Sequence, residues 1–425
     1  MNDVRNVILE NKRNGRKGIY AVCSAHPFVI EASIEQAKQD ATPVLIEATA
    51  NQVNQFGGYT GMQPTDFLRF LFNIAEKLDF PKANIIAGGD HLGPVCWTDE
   101  PAVEAMKKAH CLIESYVAAG FKKIHLDTSM SCQDDPECLP DEVVAQRAAE
   151  LCLTAETTAV NTFGYSDLVF VIGTEVPPPG GATEEIEALE LTPVPRVKQT
   201  LQLHHSAFEA LGLTDAWQRV IGLVVQPGVE FDHTSIIDYQ PDQATALKDY
   251  IANVPNIAYE AHSSDYQNGQ AYKSLVNDHF AILKVGPQLT FAMREALFAL
   301  SYIEDELIPR GQRSMLRDVC EEVMQATPAH WQKFYQENEQ ATLYRRYSYS
   351  DRIRYYWPQS KIGQAITTLI DNLSQRDIAL PLISQFMPVQ YVQVRNGEIK
   401  AEPETLIKSK IKEVTDLYAQ ACWKQ

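Results

Sequence analysis

No apolar run in this chain approaches the roughly 18–20 residues that a bilayer-spanning helix needs. The first stretch, Met1 to Arg16, is polar where a secretory signal would be apolar. Basic residues are scarce: 37 Lys and Arg stand against 55 Asp and Glu, a formal net charge of −18. Nucleic acids and membrane surfaces are polyanionic, so neither is an expected partner. The 8 cysteines include no C-x-x-C pair. Reduced, mostly buried thiols of a cytoplasmic protein are the expectation, with a disulfide or metal clip at the closest pair, Cys132 and Cys138, as the alternative. The chain also lacks a G-x-x-x-x-G-K-[ST] loop, a G-x-G-x-x-G loop and a G-x-S-x-G elbow. Those absences argue against a nucleotide or dinucleotide cofactor and against a serine hydrolase.

What is present is a repeated unit. A short apolar, β-branched run ends in small and polar residues, and an amphipathic stretch follows. The runs are 18–23 (GIYAVC), 43–48 (PVLIEA), 84–88 (NIIAG), 123–127 (KIHLD), 168–174 (LVFVIGT), 221–226 (IGLVVQ), 257–260 (IAYE) and 281–285 (AILKV). Near-continuous hydrophobicity over about five residues suits parallel strands covered on both faces. Eight such units predict an α/β fold of the (β/α)8 TIM-barrel type, with a doubly wound open sheet as the runner-up. The barrel is expected over 1–306. Residues 307–425 are expected to form a helical C-terminal extension packed on it, with helices over 313–325, 330–339, 362–373 and 403–419. Within that extension, 344–358 (YRRYSYSDRIRYYWP) is basic and aromatic in an otherwise acidic chain. Its Arg345, Arg346, Arg352 and Arg354 either approach the barrel mouth or pair with acidic helices.

In a parallel barrel, chemistry sits at the C-terminal strand ends. Here those ends are polar: Ser24 and His26; Glu47, Thr49, Asn51 and Gln52; Asp90 and His91; His125 and Asp127; Thr174 and Glu175; Gln226 and Glu230; Glu260 and His262; Lys284 and Gly286. One such residue is usually a hydrogen-bonded structural group. A full ring of carboxylates and imidazoles at one mouth needs a metal, another cation or shared protons to be tolerable at close range. A small-molecule pocket is therefore expected there. No short ligand motif such as H-E-x-x-H is present, so a metal would have to be gathered from separate strands, by His91, Glu175 and His262. His204-His205 falls in a helix-like stretch and reads as solvated.

Several long segments resemble a known family, the Z subunits of tagatose-1,6-bisphosphate aldolase. They are 47–62 (EATANQVNQFGGYTGM), 88–94 (GGDHLGP), 123–131 (KIHLDTSMS), 225–233 (VQPGVEFDH), 279–289 (HFAILKVGPQL) and 348–358 (SYSDRIRYYWP). The amino-sugar (galactosamine) type looks closer than the galactitol type. The resemblance implies a barrel related to zinc-dependent class II aldolases. In those, an Asp-His pair supplies a proton donor and a zinc ligand, which Asp90-His91 matches, and His262 matches a later zinc ligand. It implies zinc at His91, His262 and Glu175, with Asp90 and Glu175 as catalytic groups. Sugar phosphate would lie against Lys284, Gly286, Glu47, Asn51, Asp127 and Glu260. Two departures stand out. Gly286 replaces the Asn of a K-V-N segment, and Gly173-Thr174-Glu175-Val176 replaces G-T-A-H, putting a carboxylate where a zinc-binding His belongs. The family further implies a partner, the catalytic Y subunit, whose activity and stability this chain would support without much aldolase activity of its own. Independent metal-dependent aldolase or tagatose-6-phosphate kinase activity is the alternative.

Overall fold

A computed structural model of the chain describes residues 4–174, 189–335 and 340–424. The eight apolar runs become eight strands: β1 (Ile19–Val22), β2 (Val44–Thr49), β3 (Ile85–Leu92), β4 (Lys123–Leu126), β5 (Val169–Ile172), β6 (Val220–Val224), β7 (Ala258–Ala261) and β8 (Phe280–Val285). Each pairs in parallel with its neighbours. β8 returns to β1, with Ile19 opposite Ile282 and Val22 opposite Val285, so the sheet closes. The fold is a (β/α)8 barrel, and the open sheet is excluded. A two-stranded hairpin, Glu230–Phe231 with Ile236–Ile237, stands apart from it after β6.

The side-chain alternation of a strand divides the barrel interior into two zones. One is apolar. Ile19, Leu45, Ile86, Val169, Ile221, Ala258 and Ile282 pack there with Val4, Val7 and Ile8 of the N-terminal helix (Val4–Asn14). That helix plugs the barrel floor. Its buried Asn11 donates to the carbonyls of Lys17 and Val276 and meets His279 Nδ1 at 2.9 Å. The other zone, toward the C-terminal strand ends, is ionic and is described below.

Outside the strands, the last helix (Pro403–Trp423) packs against Pro27–Asp40, Gly269–Asn277 and Pro287–Leu307. Its Tyr418 ring lies 4.1 Å from Tyr272 and 5.8 Å from Tyr20 of β1. The Cys422 carbonyl accepts from Gly18 N–H. Helices also form at Leu316–Ala326 and Ser360–Ser374, and the pair Leu380–Phe386 and Pro388–Arg395 was not foreseen from the sequence. The helix expected over 330–339 is not seen at its start: a 3-10 turn, Pro328–His330, is followed by irregular turns, and 336–339 lie outside the described residues. Trp331 is anchored instead by its indole N–H on the Met324 carbonyl at 2.6 Å, and such tertiary anchoring overrides weak helix propensity. All eight cysteines are free thiols, so Cys132 and Cys138 form no bridge. No helix among the described residues is long and apolar enough to cross a membrane.

Candidate active site at the barrel mouth

Period-two alternation turns Lys123 and His125 of β4, Glu47 of β2, Glu260 of β7 and Lys284 of β8 into the barrel. The result is a charge lattice. Lys123 Nζ meets Glu47 Oε1 at 2.6 Å and Glu260 Oε2 at 2.7 Å, and all three side chains are fully buried. Lys284 also pairs with Glu47 and meets Asp90 Oδ2 at 2.8 Å. Gly88 makes room for this: a Cβ there would lie 2.8 Å from Glu47 Cγ and Oε1.

Asp90 and His91 are consecutive, so a regular strand would send them to opposite faces. Both reach the mouth because β3 carries a register shift between Gly89 and Leu92, with His91 in the left-handed region at φ 50°. Asp90 Oδ1 then lies 2.9 Å from His125 Nδ1, and His91 Nδ1 lies 2.7 Å from Asp127 Oδ2. Asp127 Oδ1 is held in turn by the N–H and hydroxyl of Ser129. The backbone behind the bulge is tight: a Cβ on Gly93 would fall 1.6 Å from the Asp127 carbonyl oxygen. His262 follows β7 and meets Glu260 Oε1 at 2.9 Å, with Ser263 after it at φ 50°.

Burial and neighbouring charge set the protonation states. Burial alone would raise the Asp90 carboxyl, but His91, Lys284 and the His125 hydrogen bond hold it well below the usual range. Glu260 is likewise held down against burial, by Lys123 and Lys284. Burial would lower both lysines; Glu260 and Glu47 raise Lys123, and Asp90 heads the anionic neighbours that raise Lys284. His91 is raised against burial by Asp90 and Asp127, and Asp127 is held at about 2 against burial by His91. His262 is pushed down to about 4 by burial, so its imidazole is neutral at pH 7. Four carboxylates, Glu47, Asp90, Asp127 and Glu260, thus face two ammonium groups. Histidine protons or a bound cation must supply the balance.

A metal-sized donor set exists here. One nitrogen each from His125 and His262 and one oxygen each from Asp90 and Glu260 lie within 4.8 Å of one another. His125 Nε2 is buried and has no hydrogen-bond partner, an arrangement that costs free energy unless something occupies it. The residues therefore fit a divalent cation with nitrogen and oxygen ligands. The rings of His91, His125 and His262 lie 5.1–5.3 Å apart. His91 is beside that donor set rather than in it, with Nδ1 committed to Asp127.

Above the lattice opens a small cavity of about 70 Å³. Asp90, His91, His262, Lys284 and Gly286 line it, together with Cys23, Gln52, Tyr59, Asp265, Arg354 and Tyr355. Glu47 and Glu260 lie in the lattice and not on the cavity wall, and Asp127 acts through His91. Asn51 turns away, its Oδ1 accepting from the Cys96 thiol at 3.2 Å. Glu175 and the Pro177–Gly181 run lie outside the described residues. Of the four arginines in the basic segment, Arg354 lines the mouth, while Arg345 and Arg346 pair with Glu321. The 47–62 segment presents Tyr59: Asn54 Oδ1 accepts from Phe56 and Gly58 N–H, and Gly58, at φ 55°, leaves no room for a Cβ beside the Gln52 carbonyl. Sequence reasoning missed His125 as a donor and Lys123 as the buried partner of Glu47 and Glu260. The usable signal was the K-x-H-x-D alternation, which aims all three residues to one side. It also misread His204, which is buried, with Nδ1 on the Thr200 carbonyl at 2.9 Å; only His205 is exposed.

The chain is similar to several known proteins. The family described as D-tagatose-1,6-bisphosphate aldolase subunit GatZ/KbaZ-like matches residues 4–423. A crystal structure of a probable tagatose 6 phosphate kinase from Sinorhizobium meliloti 1021 is 45% identical with TM-score 0.88, covering 96% of this chain and 100% of that one. The YdjI aldolase from Escherichia coli K12 is 11% identical with TM-score 0.42, covering 85% and 98%. The fructose-bisphosphate aldolase of Campylobacter jejuni is 13% identical with TM-score 0.46, covering 87% and 91%.

Proposed function

Because this chain belongs to the D-tagatose-1,6-bisphosphate aldolase subunit GatZ/KbaZ-like family, we propose that it is a subunit of a tagatose-1,6-bisphosphate aldolase, that it raises the activity and stability of a separate catalytic subunit, and that its own mouth binds a divalent cation and a phosphorylated ketose. The observation that carries the site reading is the donor set of His125, His262, Asp90 and Glu260, in which His125 also keeps a buried Nε2 with no hydrogen-bond partner among the described residues. Zinc suits two imidazoles and two carboxylates. Bound there, it would polarise a ketose carbonyl or hydroxyl. The chain's own groups do the rest. Asp90, kept ionised, accepts a proton from a ligand hydroxyl or carbon acid. Lys284 neutralises charge on the wall. Asp127 holds the His91 proton on Nδ1, which fixes the ring's orientation at the mouth.

A second reading is favoured by a different observation. Lys123 and Lys284 pair with Glu47, Glu260 and Asp90, and Asp127 pairs with His91, so histidine protons can complete the balance with no ligand and the chain would act only on its partner. A sugar-phosphate kinase, the activity named for the S. meliloti relative, has no phosphate-loop motif in this sequence to support it. Cleavage of tagatose 1,6-bisphosphate, measured for this chain alone, for the catalytic subunit alone and for both together, separates these readings. Higher turnover and melting temperature of the catalytic subunit in the mixture support the proposed role. Unchanged values contradict it. An effect of His125→Ala on ketose binding, with partner stabilisation intact, favours a working site over a vestigial one.

A further inference from the structure

The mouth is acidic, yet one part of its rim concentrates positive charge. Arg352 lies 4.4 Å and Arg354 4.5 Å from the centre of the same Tyr355 ring. Both side chains are largely buried in the short 3-10 segment Arg352–Tyr356. Neither forms an ion pair among the described residues, in a chain with 55 acidic groups. Arg352 does not line the cavity: Nε donates to the His330 carbonyl at 2.6 Å, Nη1 reaches the Tyr355 hydroxyl at 3.5 Å, and the guanidinium covers Phe334 at 3.6 Å.

Arg354 is used differently. Nη1 donates to the carbonyls of Ser350 and Asp351, and Nη2 donates to the Tyr355 hydroxyl at 3.1 Å. That leaves Nε–H and one Nη2–H without a partner among the described residues. An arginine uses this edge to hold two oxygens of one anion. Arg354 lines the mouth cavity and also a second, largely apolar cavity of about 420 Å³ beside it, and Tyr59 lines both as well. The Tyr59 and Tyr355 rings meet edge to face at 4.8 Å, and the guanidinium lies over the Tyr355 ring of that pair. The potential is positive enough that Tyr355 is lowered against burial by Arg352 and Arg354.

We propose that Arg354, lying over the Tyr355 ring beside Tyr59, forms an anion subsite on the rim of the mouth that receives a phosphate monoester group of the ligand. The proposal rests on the reading of the mouth as a sugar-phosphate site and adds the residue that recognises the phosphate. The lysines of the lattice cannot serve in this way, since Lys123 is sealed beneath the cavity and Lys284 is committed to Glu47 and Asp90. Arg354 is the cation on the cavity wall that keeps an open edge.

The test uses the full chain, stripped of metal with a chelator, and inorganic phosphate as the probe. Isothermal titration of the wild type should give saturable phosphate binding that weakens as salt is raised. Arg354→Met should weaken it about tenfold or more, the scale of a lost charged hydrogen-bond pair. Arg354→Lys, which keeps the charge and loses the fork, should fall between them. A measurement on the unmodified chain guards against a variant that fails to fold: phosphate should slow phenylglyoxal modification at Arg354, mapped by mass spectrometry, and leave exposed Arg395 unprotected. Absence of phosphate binding by the wild type, equal binding by Arg354→Met, or modification of Arg354 at an undiminished rate would overturn the subsite. None of these readouts involves metal or bond cleavage. A wild-type chain that binds metal but no phosphate therefore sinks the subsite alone, and one that binds phosphate but no metal sinks the metal reading alone.

Discussion

Lys123 shows how far a single side chain can govern the site. It is an ammonium at the start of the short strand β4, sealed between two carboxylates. Its replacement would leave Glu47 and Glu260 buried with half their compensation gone. Lys123→Met should cost about 3–5 kcal/mol in a urea titration, the scale for breaking a buried ion pair by removing one partner. The triple variant Lys123→Met with Glu47→Gln and Glu260→Gln should recover much of that loss, because no unpaired charge remains. His204 provides a pH test at the same scale. Burial holds it at about 4 in the folded chain, against about 6.5 unfolded. Between those values the unfolded chain binds the extra proton, so stability falls as pH drops from 6.5 toward 4, by about 3 kcal/mol in all. Denaturation of His204→Leu at pH 7 and pH 4 should lack that increment of acid sensitivity. A variant as acid-sensitive as the wild type would show that His204 does not carry it.

At the scale of elements, the decisive feature is the bulge in β3. An extended strand cannot place Asp90 and His91 at one mouth; the left-handed φ at His91 does. Such a conformation costs a non-glycine residue about 1–2 kcal/mol. His91→Gly should therefore be more stable than His91→Ala by about 1 kcal/mol in chemical denaturation, although both lose the imidazole. Equal stabilities would mean that the backbone at 91 is not strained. The bulge also marks the limit of sequence reading. All eight strands were legible, because each is a short apolar run closed by polar residues. The polar strand ends pointed to the mouth, and alternation along β4 was sufficient to aim Lys123, His125 and Asp127 together. The bulge left no such trace, since Gly88-Gly89-Asp90-His91 reads equally well as a turn. Nor could the sequence distinguish Arg354 from its three neighbouring arginines. Their separate fates depend on whether Glu321, the His330 carbonyl or the open mouth lies within reach after folding. His204 was misread for a related reason: the packing of its helix, not its local pattern, buries it.

At the scale of the whole molecule, the barrel is sealed at its floor by the N-terminal helix. At its side, β1 is covered by the last helix, so the chain's two ends brace the structure that positions the mouth. The mouth combines a lattice of buried ion pairs with one imidazole nitrogen, on His125, that has no hydrogen-bond partner among the described residues. The account rests on that nitrogen being a ligand atom. The most direct measurement is titration of chelator-treated protein with Co²⁺, followed by visible absorption and metal analysis. The account predicts one saturable Co²⁺ per chain with a d–d spectrum of low coordination number. His125→Ala and His262→Ala should abolish both, and Asn51→Ala should leave them unchanged. No saturable binding, or binding that survives in both histidine variants, would contradict it.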